Sequence, residues 1–190
     1  MMMIQRYIIL LAVVIVSSAV VCLLIFFRMK KKGKGAVRLL GGLLCFWSFF
    51  LIIFATIILF NLPLNYDPAS SVLNLQPFQW LWEDEVKRRI VDEIIPNILL
   101  FVPFGVFAPI VFKQLRKFFF AALAVFVLTF GIEVFQFFIG RSSDIDDLMA
   151  NLLGGIIGFV IFMAFGRLFK NKTWWNQLTG LLPIQPFSTQ

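Results

Sequence analysis

Histidine is missing from the 190-residue chain. That excludes histidine-based general acid–base catalysis, Ser-His-Asp triads, His-ligated zinc and a phosphohistidine intermediate. Cysteine is nearly missing too. Cys22 and Cys45 both fall inside apolar runs, so they cannot build a metal cluster, and a structural disulfide at that depth is not expected. They read as small buried side chains, and neither a resident metal nor a cofactor is expected. Charge is scarce: 14% of residues carry one, against 61% that are hydrophobic. That balance is far from a soluble domain and points to an all-α integral membrane protein.

A spanning helix needs about 20 apolar residues, and five windows qualify: 7–27, 39–60, 94–112, 118–139 and 148–166. They predict a five-helix bundle forming one integral membrane domain over residues 1–190. The longest connection, 61–93, leaves no room for a separate soluble catalytic domain. The first window resembles a signal peptide in its apolarity. It is followed by Arg28, Lys30, Lys31, Lys32, Lys34 and Arg38, without a small-residue cleavage site, so it reads as a retained helix.

The basic residues set the orientation. With Arg28 to Arg38 cytoplasmic, Lys113, Arg116, Lys117, Arg167, Lys170 and Lys172 lie on the same side, twelve in all. Five remain outside: Arg6, Lys87, Arg88, Arg89 and Arg141. The N-terminus is therefore expected outside and the C-terminus inside. Basic runs that abut membrane spans serve topology and contact with anionic headgroups rather than nucleic acid.

Within this frame several segments carry specific expectations. Val86, Ile90, Val91, Ile94 and Ile95 recur at helical spacing, predicting a short interfacial helix over 82–95 that leads into the third span. Pro96, Pro103 and Pro109 predict a kink or interruption of that span near 101–105. Ala150, Gly154 and Gly158 form a small-xxx-small series for close helix packing. The tail from residue 173, with Trp174 and Trp175, reads as an interfacial segment on the cytoplasmic face.

Against this apolar background the polar residues of the last three spans stand out. At about 1.5 Å rise per residue, Glu133 lies roughly 9 Å below the outer end of its span, and Gln136, Asn97 and Asn151 roughly 5 Å below theirs. Glu93 and Asn97 are spaced i,i+4, Glu133 and Gln136 i,i+3, and Asp144, Asp147 and Asn151 i+3 then i+4, so each set shares one helical stripe. Arg141 sits in the tight turn between the last two spans, and Asp144 is placed to cap the helix that follows. Two readings stay open. The cluster is internal glue, with Arg141 neutralising Glu133 or Asp147. Alternatively it is an outer-leaflet pocket for a headgroup bearing hydroxyl, amine or phosphate groups, or for a divalent ion at Asp144 and Asp147.

The ordered series Asn97-x3-Phe101-x-Pro103-Phe104-Gly105, then Glu133-x2-Gln136, then Arg141-x2-Asp144-x2-Asp147-x3-Asn151-x2-Gly154, preceded by Asn74-Leu75-x-Pro77-Phe78, resembles the VanZ-like family of bacterial integral membrane proteins. The resemblance covers about 72–158. Gln76 stands where an apolar residue is commoner. The resemblance implies a multi-pass bacterial plasma-membrane protein associated with resistance to glycopeptides such as teicoplanin, acting through the cell envelope. Its partners are then membrane lipids, a lipid-linked cell-wall intermediate or a lipophilic glycopeptide. Two other function classes remain: a membrane enzyme using Glu133 or Asp147 as base and Arg141 as phosphate clamp, with Asp144 a further catalytic candidate, and a transporter or ion pathway using Glu133.

Overall fold

The computed structural model describes residues 24, 27, 35–59, 72–78, 81 and 86–181. Within them the chain is mostly helical. Four helices are long and apolar enough to cross a membrane: Val37–Ile57, Val86–Val111, Phe118–Phe138 and Ile145–Phe169. The first expected span, 7–27, lies outside the described residues apart from Leu24 and Phe27, as does the tail beyond residue 181.

Helix α1 (Ala36–Ile53) runs on into a π-helical stretch, Phe54–Leu59. Helix α2 occupies Val86–Val111. A 3-10 turn, Lys113–Arg116, joins it to α3 (Phe118–Phe138), and α4 (Ile145–Phe169) and α5 (Thr173–Thr179) follow. Two two-residue strands, β1 (Leu73–Asn74) and β2 (Ser143–Asp144), pair in parallel.

Local chemistry sets the helix ends. Asp144 caps α4 through its own carboxylate, which accepts the Asp146 N–H at 2.9 Å. Asp146 and Asp147 in the first turn and Arg167 in the last complement the helix dipole. Helix α3 ends on Gly140, whose φ of 82° suits a residue without Cβ. Arg141 N–H returns to Gln136 O and Gly140 N–H to Phe137 O, the paired bonds of a Schellman turn. This turn reverses the chain and carries Arg141 back toward the bundle.

Among the described residues, α2 and α4 approach at backbone distance along one seam. A Cβ at Gly154 would collide with the Ile98 carbonyl, one at Gly158 with the Val102 carbonyl, and one at Gly105 with the Gly155 carbonyl. The small-residue series therefore does what its spacing predicts and brings two backbones together. Around this seam, Ile52, Phe101, Val125 and Ile132 form one apolar cluster. Ile110, Ala121, Phe159, Phe162 and Trp175 form another.

Two expectations need correction. The interfacial helix is not a separate element: Val86–Arg89 passes through a π turn, Ile90–Ile94, directly into Ile95–Val111. The junction residues Arg89, Ile94 and Ile95 all keep right-handed helical angles, and Ile95 N–H donates to Ile90 O five residues back. The widened ladder lies one residue before Pro96, so the helix adjusts there to a residue that lacks an N–H. Second, no break occurs at 101–105. Residues Ile95–Val111 form an α-helix without interruption through Pro103 and Pro109, with the glycines of α4 packed closely against it. The described part of the tail, read from sequence as an interfacial segment, docks on the basic end of the bundle. Trp175 is 4% exposed in the second apolar cluster, while Trp174 is exposed.

Candidate functional site

One end of the bundle carries Arg38, Lys113, Arg116, Lys117 and Arg167, while every described acidic residue lies at or near the other. At that acidic end, the π-helical stretch after α1, helices α2 to α4, β1 and the α3–β2 turn line a cavity of about 1170 Å³. The residues singled out from sequence, Glu93, Asn97, Glu133, Gln136, Arg141, Asp144, Asp147 and Asn151, all line it. They come from three helices and one turn, and the stripe spacing within each helix explains how they converge.

Glu133 anchors the wall between α3 and α4. It is 5% exposed, and its Oε2 accepts Ser143 Oγ at 3.0 Å and Asp144 N–H at 3.1 Å. Charge-assisted bonds of this kind are stronger than neutral ones. They fix the β2 strand, which in turn receives the outer loop, since Ser143 N–H donates to Val72 O at 2.9 Å.

Asp144 is the most heavily used carboxylate. One oxygen caps α4, and the other accepts Arg89 Nη2 at 2.5 Å and Asn74 Nδ2 at 3.2 Å. Arg89 also pairs with Glu93 at 3.2 Å, one turn along α2. Asn74 Oδ1 receives Gln76 N–H at 3.1 Å, an Asx turn that shapes the loop. Phe78 follows with φ at 61°, a left-handed conformation that costs a non-glycine residue energy. Its N–H donates to the buried Asp146 at 3.0 Å, a contact that holds it there.

Deeper in, Asn97 Nδ2 donates to Asp147 Oδ1 at 2.7 Å across the α2–α4 seam. Asn151, 2% exposed, donates through Nδ2 to Thr129 Oγ1 at 2.8 Å. Its Oδ1 is buried without a hydrogen-bond partner among the described residues. A buried polar atom left in this state marks a place where a bound group would be stabilised. On the α1 side, the Thr56 carbonyl, within the π-helical stretch, accepts Gln136 Nε2 at 2.9 Å and Arg141 Nη1 at 3.4 Å. Arg141 also lies near enough to act electrostatically on Glu133 and Asp147.

Asp144 and Asp147, considered from sequence for a divalent ion, are instead engaged by Arg89 with Asn74, and by Asn97. Sequence reasoning missed Arg89, Asn74, Thr56, Ser143 and Asp146 as parts of the site. Arg89 had a readable signal: Arg89, Glu93 and Asn97 form one i,i+4 stripe. Thr56 had none in its side chain, since it contributes a carbonyl.

The chain was compared with known proteins. The family model described as VanZ/LLP1 matches residues 46–169. That extends the resemblance read from the motifs into α1, where no motif is visible. Among curated proteins, "Protein VanZ" of Enterococcus faecium is 32% identical over 122 residues, which cover 60% of this chain and 70% of that protein. No solved structure matches.

Proposed function

The chain belongs to the VanZ/LLP1 family, and on that premise we propose that its polar cavity engages an envelope lipid or lipid-linked cell-wall intermediate. In this reading the protein sits in the bacterial plasma membrane with the acidic end outward. By holding such a lipid in the outer leaflet it lowers susceptibility to lipophilic glycopeptides of the teicoplanin type.

One observation carries the reading. Eight polar residues spread over 59 positions of sequence line a single cavity of about 1170 Å³, and the buried Asn151 Oδ1 there has no partner among the described residues. A cavity with apolar walls and a few convergent polar groups is the usual form of a small-molecule site. Its placement at one end of the spans suits an amphiphile, with the headgroup among the carboxylates and amides and the tail toward lipid.

The test is glycopeptide susceptibility of a bacterial host expressing the full chain, with membrane abundance measured in parallel. Arg141→Ala and Asp147→Asn should each abolish protection while membrane abundance stays at the parental value. Protection retained in both variants overturns the reading. An enzymatic version uses Asp147 as general base and Arg141 as phosphate clamp, and rests on both groups lining the same cavity. Turnover of a purified lipid substrate separates it from binding alone.

A further inference from the structure

A second cavity, of about 490 Å³, lies at the basic end of the bundle. Its walls come from α1, the end of α2 and α5, and include Cys45, Phe46, Phe49, Phe104, Ile110 and Leu178. Among the described residues the one charged side chain lining it is Arg38. The volume falls in the range of small-molecule sites, and the walls are almost wholly apolar.

Arg38 has an unusual setting. Its guanidinium lies against the backbone of Gly180, the left-handed residue that ends α5. No hydrogen bond or ion pair engages it among the described residues. The neighbouring Arg116 is committed to carbonyls: Pro109 O at 3.1 Å, Ile110 O at 3.4 Å and Thr179 O. Those bonds close the end of α2 and tie it to α5. Two guanidinium groups are thus held near each other, and the described carboxylates all lie toward the opposite end of the bundle. Burial, and then the charge of Arg38, hold Arg116 below its ordinary pKa. Like charges brought together in partly desolvated surroundings call for a counter-ion.

We propose that this cavity is a binding site for an anionic phospholipid, with an acyl chain in the apolar groove and the phosphate on Arg38. The guanidinium fork matches phosphate oxygens bidentately. Exposed Lys113 and Lys117, on the turn beside Arg116, add the longer-range attraction for a negatively charged headgroup. The groove selects for a chain and the cations select for net negative charge. Neither free phosphate nor a zwitterionic lipid satisfies both. This site is independent of the cavity at the acidic end and does not rest on the function proposed for it.

The test is native mass spectrometry of the full chain exchanged from detergent into phosphatidylglycerol or phosphatidylcholine. The parental chain should retain phosphatidylglycerol at least tenfold more tightly than phosphatidylcholine. Arg38→Gln should lose about tenfold of the phosphatidylglycerol affinity, the scale of one charge-assisted hydrogen bond, and a smaller share of the phosphatidylcholine affinity. Gly42→Leu, which fills the groove and keeps Arg38, should weaken both lipids, and it decides the matter if Arg38→Gln does not fold. Equal retention of the two lipids by the parental chain, undiminished phosphatidylglycerol binding in either variant, or equal competition by glycerol phosphate without an acyl chain each overturns the proposal.

Discussion

Replacing Gly154 with alanine tests whether the α2–α4 seam positions the acidic-end cavity. The added Cβ would run into the Ile98 carbonyl, which belongs to the backbone of α2 and cannot rotate aside. Restoring van der Waals distance requires the two helices to part by about 1 Å. Overpacking of this kind costs about 1–3 kcal/mol. The same movement stretches the 2.7 Å bond from Asn97 to Asp147 toward the limit of hydrogen bonding, forfeiting up to about 1.5–3 kcal/mol. Alanine recovers about 1 kcal/mol over glycine in a helix interior, which leaves a net loss of about 2–4 kcal/mol. Gly131 is the control: it lies in α3, and nothing stands within 4 Å of a Cβ there. Gly131→Ala should therefore be neutral or stabilising by about 0.5–1 kcal/mol. The assay is thermal unfolding of the purified protein in one detergent. The midpoint for Gly154→Ala should fall by about 5–15 °C, while that for Gly131→Ala stays level or rises. Shifts of equal size and the same sign in both variants would refute the argument that close backbone contact, rather than helix propensity, sets the cost.

Glu133 distinguishes a brace from a bystander. Glu133→Leu strands the Ser143 hydroxyl and Asp144 N–H and should cost about 2–5 kcal/mol, whereas Glu133→Gln keeps an acceptor and should cost less than about 1 kcal/mol, both read from unfolding midpoints. Arg89→Gln removes the ion pair that holds Asp144; amide exchange at Ser143, which bonds Val72 across the strand pair, should quicken about tenfold or more, and unchanged exchange would show that the loop is held elsewhere. Trp175→Ala empties a large site in the basic-end core and should cost about 3–5 kcal/mol; a change below about 1 kcal/mol in the unfolding midpoint would contradict docking of α5.

The spans were legible because they rest on length and apolarity, which are properties of one segment at a time. The window 118–139 agrees with Phe118–Phe138, and 148–166 falls within Ile145–Phe169. The convergence of the polar residues was legible for a related reason: helical rise places Asn97, Glu133 and Asn151 at one depth, and all three line one cavity. Pairing between distant segments was not legible. The bond from Asn74 to Asp144 joins residues 70 apart, and strands of two residues leave no alternation to read. The interruption expected at the prolines does not occur, because their penalty belongs to an isolated helix. In α2 the neighbouring glycines of α4 supply packing that an isolated segment lacks.

The distribution of irregular backbone bears on whether the polar residues are glue or a site. The π-helical stretches Phe54–Leu59 and Ile90–Ile94, the left-handed Phe78 and the two-residue strands all lie at the acidic end. Backbone of this kind persists at membrane depth only where it is buried in protein or lines a polar cavity, and π turns recur at functional positions. Cohesion between α2 and α4 comes from the glycine seam as well as from the bond between Asn97 and Asp147. Glue would also be expected to saturate its own hydrogen bonds and close the space around them. Here Asn151 Oδ1 is left over beside a cavity of about 1170 Å³. The bundle seals one stretch of a helix pair at backbone distance and within two turns leaves an open polar chamber, and that contrast is the physical ground for proposing a site rather than glue.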